Sequence, residues 1–344
     1  MTDGPIKVLV VDDSAFARKV LRQVLTAAPG LQVLDTARDG LDALEKISAL
    51  KPDVVTLDLV MPHLDGLGVL KSLAGAPSPR VVVVSSAGEE SDLAMAALQA
   101  GAVELVHKPT ALATDRLYEV GADLVAKVRT AAGAMVRLPS QELPAAPGPV
   151  VAAASLLKLV VVGTSTGGPA ALTRLVSSLP AEFPVPLAFA LHIPAGYTDA
   201  LARRLNRLGT LEVLEAQEGM ELKPGRAVLA QAGMHLRVVR DGERMLARLG
   251  RAPELAPHHP SVNVLFESAA KCWGAAVLGM VLTGMGDDGL EGSRAIREAG
   301  GQVLTESPES CVVYGMPRVV VEAGLSNASA SLENIGALLL SYVR

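Results

Sequence analysis

Two groups of side chains in this 344-residue sequence have the types and spacing to do chemistry. The first is Asp12-Asp13-Ser14, Asp58, Ser85 and Lys108-Pro109. Carboxylates brought together without compensation raise one another's pKa and cost stability. A hard divalent cation removes that conflict, and Mg²⁺ suits one or two carboxylates plus a phosphate. A hydroxyl and an ammonium facing the same pocket can hold phosphoryl oxygens. The set is suited to a carboxylate that accepts a phosphoryl group, with Asp58 in the central place. The pattern does not separate Ser85 from its neighbour Ser86.

The second group is Ser165, inside Gly163-Thr164-Ser165-Thr166-Gly167-Gly168-Pro169, with His192 and Asp288 downstream. A serine between glycines, an imidazole and a carboxylate are the parts of a nucleophilic triad. Taken singly each part is weak. An isolated GxSxG is more often a helix cap with a glycine turn, and a lone histidine after a strand is more often structural. A dinucleotide loop is a third reading of the turn, but the GxGxxG spacing is missing. What changes the balance is that all three follow strand-like runs, and so fall on one edge of a sheet.

The elements that must position these residues can be read from hydrophobic periodicity. Apolar runs at Ile6–Val11, Leu31–Leu34, Val54–Leu57, Val81–Val84 and Ala102–Val106 alternate with helical patterns such as Ala15–Ala27 and Leu41–Leu50. Continuous apolar strands between amphipathic helices predict a doubly wound, five-stranded parallel sheet covered on both faces. Ligands in such folds sit at the carboxyl ends of the strands, where the acidic residues fall. The second half repeats the style at Leu159–Val162, Leu187–Leu191, Val228–Ala230 and Ala275–Leu282, and predicts a mainly parallel α/β domain. Pro169 suits a helix start. Ser165 would then stand beside N–H groups at a helix N-terminus, where developing negative charge is stabilised.

Composition sets the outer limits. Half the residues are hydrophobic and 19% are charged, which excludes disorder for most of the chain. The length predicts two domains. Between them, residues 131–157 hold eight Ala, four Pro and two Gly with only Arg137 and Glu142 charged, and read as a fairly stiff linker. The domains are expected at 1–130 and 158–344. Cys272 and Cys311 make neither a disulfide framework nor a zinc pattern. The net charge of −5 argues against nucleic acid as the main partner. No apolar run approaches the roughly 20 residues needed to span a bilayer. No cleavable signal opens the chain, and a cytoplasmic protein is expected. His258-His259 lacks a third metal ligand and is read as a loop or cleft feature. Arg203 and Arg207 share a helix face that reads as solvated.

The motifs VLVVDDS, VTLDLVMPHLDG, VVVVSSAG and HKPT resemble the receiver domain of bacterial response regulators, a flavodoxin-like fold. The resemblance implies that Asp58 is the phosphoacceptor, that Ser85 and Lys108 line its pocket, and that Asp12, Asp13, Asp58 and the Val60 carbonyl hold Mg²⁺. Leu105 stands where receivers usually carry an aromatic, so a switch built on a rotating aromatic is not expected. GTSTGGP, LHIPAGYT, APHHPSVNVLF, LTGMGDDG and CVVYGMPR resemble the catalytic domain of CheB-type protein-glutamate methylesterases. That resemblance implies Ser165, His192 and Asp288 as the triad, with backbone N–H groups of Thr166 and Met285 holding the oxyanion and no cofactor for hydrolysis. It implies glutamyl methyl esters and glutamines of chemoreceptor cytoplasmic domains as substrates and a histidine kinase as phosphodonor. Where the family more often has Asn, this chain has Asp287, which is expected to raise the pKa of the Asp287–Asp288 pair. The unphosphorylated receiver is expected to block access of a bulky helical substrate to Ser165.

Overall fold

A computed structural model describes residues 4–74, 79–86, 90–108, 114–134, 157–252 and 256–343, with the backbone alone over 114–120. The chain divides into two compact units at Pro139–Ser140. Most of the expected linker, residues 135–156, lies outside the described residues.

In the first unit, β1 (Ile6–Val11), β2 (Leu31–Ala37), β3 (Val54–Asp58), β4 (Arg80–Ser85) and β5 (Glu104–His107) pair in the order β2-β1-β3-β4-β5, all parallel. Five helices connect and follow them: α1 (Ala15–Ala27), α2 (Gly40–Leu50), α3 (Gly66–Leu73), α4 (Ser91–Gln99) and α5 (Thr114–Ala132). Val8–Val11 and Val54–Leu57 are buried, as strands covered on both faces must be. Ser14, Asp39 and Asp65 cap α1, α2 and α3, each accepting a backbone N–H of the first turn. The strands run past their apolar cores because the ladder continues: Asp58 pairs with Val84, and Ser85 with His107. α5 extends beyond residue 130, with Ala131 and Ala134 buried and the Ala134 carbonyl accepting the Arg80 Nε–H at 2.8 Å. The order of strands reverses between β1 and β3, which brings Asp12 beside Asp58.

The second unit holds a seven-stranded sheet, every pairing of which is parallel. Its members are β6 (Leu159–Thr164), β7 (Leu187–Leu191), β8 (Glu212–Glu215), β9 (Arg226–Leu229), β12 (Val277–Val281), β13 (Gln302–Glu306) and β14 (Ala328–Ala330). They lie in the order β14-β13-β12-β6-β7-β9-β8. A separate antiparallel hairpin, β10 (His235–Asp241) and β11 (Arg244–Gly250), packs on α8 (Val262–Trp273). The remaining helices are α6 (Gly168–Ser177), α7 (Thr198–Leu208), α9 (Leu290–Glu298), α10 (Met316–Glu322) and α11 (Ile335–Val343). β6 sits between β7 and β12, so the loops after these three strands meet at the reversal point of the sheet. Among the described residues, no helix is long and apolar enough to cross a membrane.

Candidate active site and phosphoacceptor pocket

β6 delivers the chain into a turn that only glycine permits. Gly167 has φ +80°, and a Cβ there would fall 2.7 Å from Val312 Cγ2. The turn is held from the β12 side by one residue, Thr283. Its carbonyl accepts the Ser165 N–H at 3.0 Å and the Thr164 hydroxyl at 2.7 Å, and its own hydroxyl donates to the Thr166 carbonyl at 2.9 Å. Ser165 is left half-buried just ahead of α6, whose N-terminus favours negative charge. Gly284 borders it so closely that a Cβ would sit 2.8 Å from the Ser165 Cβ. The Gly284–Met285 peptide and Thr166 therefore flank the serine from two strands, with the Met285 side chain exposed.

His192 follows β7 directly, and its backbone N–H donates to the Thr164 carbonyl at 3.2 Å. Its ring Nε2 lies 2.8 Å from Asp288 Oδ2. The other ring nitrogen, Nδ1, is buried and has no hydrogen-bond partner among the described residues. The His258 ring stacks on the imidazole, centroids 4.0 Å apart and planes 20° from parallel. Asp288 is buried at 8% exposure, and besides His192 it accepts from the Ser261 hydroxyl, the Val262 N–H and the Asn263 N–H at 2.7–2.9 Å. Burial pushes its carboxyl up, but the hydrogen bond and charge of His192 and the two N–H groups of α8 outweigh that and bring it down to about 2. The expected upward shift from Asp287 is thus overturned at Asp288: Asp287 is exposed, where water screens it, while four donors face Asp288.

Several residues of the site carried no assigned role in the sequence. Ser261 caps α8 while its hydroxyl donates to Asp288. Asn263 Oδ1 accepts the N–H groups of Gly289 and Gly292, tying the Asp288 loop to the same helix. The signal was the Ser-Val-Asn start of an apolar helical run, which reads as a cap; its second task needs the tertiary fold. His258, read as a cleft residue, lies against His192.

In the first unit, ligand oxygens of Asp12, Asp13 and Asp58 lie within 4.8 Å of one another, with Asp12 and Asp58 buried and Asp13 exposed. Lys108 Nζ is 2.6 Å from Asp58 Oδ2 and 2.9 Å from Asp12 Oδ2. Burial and the neighbouring Asp12 raise the Asp58 carboxyl despite Lys108. Burial also works against the Lys108 charge, but the two carboxylates more than restore it. Three carboxylates face the Lys108 ammonium, with the Arg18 guanidinium held on the Asp12 and Asp13 carbonyls at 2.7 and 2.9 Å; negative charge remains in excess, and the donor set fits a hard divalent cation. Val60 N–H approaches Asp58 Oδ1 at 3.4 Å. The buried Ser85 hydroxyl donates to Glu90 Oε2 at 2.7 Å, and the Ser86 N–H donates to the same oxygen at 2.8 Å. Leu105 is buried in β5.

The profile of the CheB methylesterase family matches residues 160–339, and that of the response regulator receiver domain matches residues 8–119. The chain is 69% identical over 344 residues to the protein-glutamate methylesterase/protein-glutamine glutaminase 5 of Myxococcus xanthus, covering 99% of each chain. It is 42% identical to the protein-glutamate methylesterase/protein-glutamine glutaminase of Symbiobacterium thermophilum, over 96% of this chain and 95% of that one. The crystal structure of the Thermotoga maritima CheB methylesterase catalytic domain matches with a TM-score of 0.53 and 35% identity, covering 54% of this chain and 99% of that one. With a receiver fold in front, a seven-stranded α/β unit behind and full-length relatives of both, this chain belongs to the CheB methylesterase family of response regulators.

Proposed function

We propose that the protein hydrolyses glutamate methyl esters, and deamidates glutamines, on the cytoplasmic domains of chemoreceptors, in the cytoplasm, under control of its receiver. The observation that carries this reading is the imidazole of His192, clamped through Nε2 to a low-pKa Asp288 beside the Ser165 turn. Asp288 fixes the tautomer and stabilises the imidazolium, leaving Nδ1 to take the Ser165 proton as Oγ attacks the side-chain carbonyl. His192 then gives that proton to the departing methanol or ammonia. A water, deprotonated by His192, cleaves the acyl-serine and releases glutamate. The N–H groups of Thr166 and Met285 hold the oxyanion, each worth roughly 10²–10³ in rate. Ester and primary amide are both acyl carbons on a side chain, so one site serves both, and none of these steps requires a cofactor.

Control begins at Asp58, the carboxylate that accepts a phosphoryl group from a histidine kinase. Asp12, Asp13, Asp58 and the Val60 carbonyl would hold Mg²⁺, which when bound supplies the charge that keeps Asp58 ionised and neutralises the incoming phosphoryl oxygens. Lys108, already on Asp58 at 2.6 Å, would hold a phosphoryl oxygen. The Ser85 hydroxyl would leave Glu90 to hold another. The unphosphorylated receiver restrains the catalytic unit, and a coupling of about 1–3 kcal/mol gives roughly 5–150-fold activation. Methanol release from a methylated receptor, timed with and without a small acyl phosphate and Mg²⁺, tests this. The wild type is expected to accelerate within that range and Asp58→Asn to stay at the basal rate. Equal acceleration of both would remove Asp58 from the account.

A further inference from the structure

Glu306 ends β13 and is fully buried. β13 neighbours β12, so this carboxyl stands one strand away from the Leu282–Gly284 loop that borders Ser165. Its Oε2 accepts the Thr283 N–H at 2.8 Å, and its Oε1 accepts the Ser310 hydroxyl at 2.9 Å. Thr283 is the residue on which Thr164, Ser165 and Thr166 all hang. Glu306 thus holds, by its N–H, the residue whose carbonyl and hydroxyl hold the nucleophile turn, and the triad chemistry makes no use of Glu306.

A neutral amide would accept the same N–H without the cost of burying a charge. The carboxyl here has a complete set of partners in either protonation state. Ionised, it accepts from Thr283 and Ser310. Protonated on Oε1, it donates to Ser310 Oγ while that hydroxyl turns to the Ser307 carbonyl 3.4 Å away. Burial pushes the group up to about 7, so both forms are populated near neutrality. Of the strands beside it, β12 and β14 carry no ionisable side chain. The loop after β13 brings Cys311 and Glu309, and the segment before α11 brings Glu333. On the helices packed against β13, Arg294 pairs with Glu291, Arg297 bonds the Gly301 carbonyl and Asn327, Arg318 pairs with Glu322, and Glu298 completes the charged set.

We propose that Glu306 is a positioning residue of the esterase: through the Thr283 peptide it fixes the turn that presents Ser165, and it holds that turn more firmly when ionised. A charged acceptor bonds an N–H about twice as strongly as a neutral one, and misplacing a reacting group by 1 Å can cost about 10²-fold in rate. The inference rests on Ser165 being the nucleophile.

The test is kcat and KM for methanol release by the full-length protein across neutral pH. Glu306→Gln keeps an acceptor for Thr283 but does not titrate. As pH rises through neutrality the ratio of wild-type to Glu306→Gln kcat is expected to increase by about two- to tenfold and then level off, because only the wild type gains a charged acceptor for the Thr283 N–H. Glu306→Ala, with no acceptor, is expected to lose at least about tenfold in kcat with KM within about twofold. Superimposable profiles for wild type and Glu306→Gln would overturn the proposal even if Glu306→Ala failed to fold, as would an Ala variant with unchanged kcat. Ser165→Ala in the same assay separates the two readings. If it is inactive while the Glu306 variants match wild type, only the positioning role falls; if it is active, the serine reading falls first.

Discussion

At Asp288 four donors converge on two oxygens: the Ser261 hydroxyl and Asn263 N–H on Oδ1, His192 and the Val262 N–H on Oδ2. Holding the folded-state pKa at about 2 against 3.8 for a free aspartate corresponds to about 2 kcal/mol of stability. Because the folded value is the lower one, that contribution is complete above about pH 4 and is lost as pH falls toward 2. Asp288→Asn replaces one acceptor by an NH₂ that faces donors. Its kcat is expected to fall by about 10²–10⁴-fold. Urea unfolding should show it less stable than wild type by about 2 kcal/mol at pH 6, with the gap narrowing to less than about 1 kcal/mol by pH 2.5. A gap that persists at low pH would mean that packing, not charge, accounts for the loss. Asp288 could be picked from the sequence because it follows a strand; its surroundings could not, because three of its partners come from residues 261–263, on a different element.

At the scale of elements, the β6–α6 turn shows which signals survive in a sequence. Glycines around a serine, then proline, encode a strand-to-helix turn locally, and the turn stands where the pattern puts it. Gly167→Ala would force a side chain into φ +80° and against Val312. It is expected to cost about 1–3 kcal/mol in stability and to lower kcat through displacement of Ser165, checked by melting and methanol release. A variant with wild-type kcat and melting would show that the turn tolerates a side chain. The apolar pattern passed over β8 and the β10–β11 hairpin, although Asp241-Gly242 carries a hairpin signal. The hairpin strands are laced with arginines, since only one face packs on α8, so they form no continuous apolar run. β13 and β14 escaped for a related reason: short strands ending in Glu306 or built from Ala-Ser-Ala offer little hydrophobic signal.

For the whole molecule, the two units were legible because each alternates apolar strands with amphipathic helices, while the stretch between them lacks bulky side chains. Which strands are neighbours was only partly legible. Placing Asp12 beside Asp58, and Ser165, His192 and Asp288 on one edge, followed from the rule that parallel sheets present ligands at the strands' carboxyl ends. The role of Thr283 and Glu306 depends instead on side-chain bonds between strands, which no local pattern records. The proposed chemistry depends on Ser165 acting as the nucleophile. Methanol release from a methylated receptor should be compared for wild type and Ser165→Ala, both fully phosphorylated and with matched melting temperatures. The variant is expected to lose at least about 10³-fold in kcat, leaving only what the oxyanion donors and binding provide. Hydrolysis by Ser165→Ala at the wild-type rate would contradict the nucleophilic role directly.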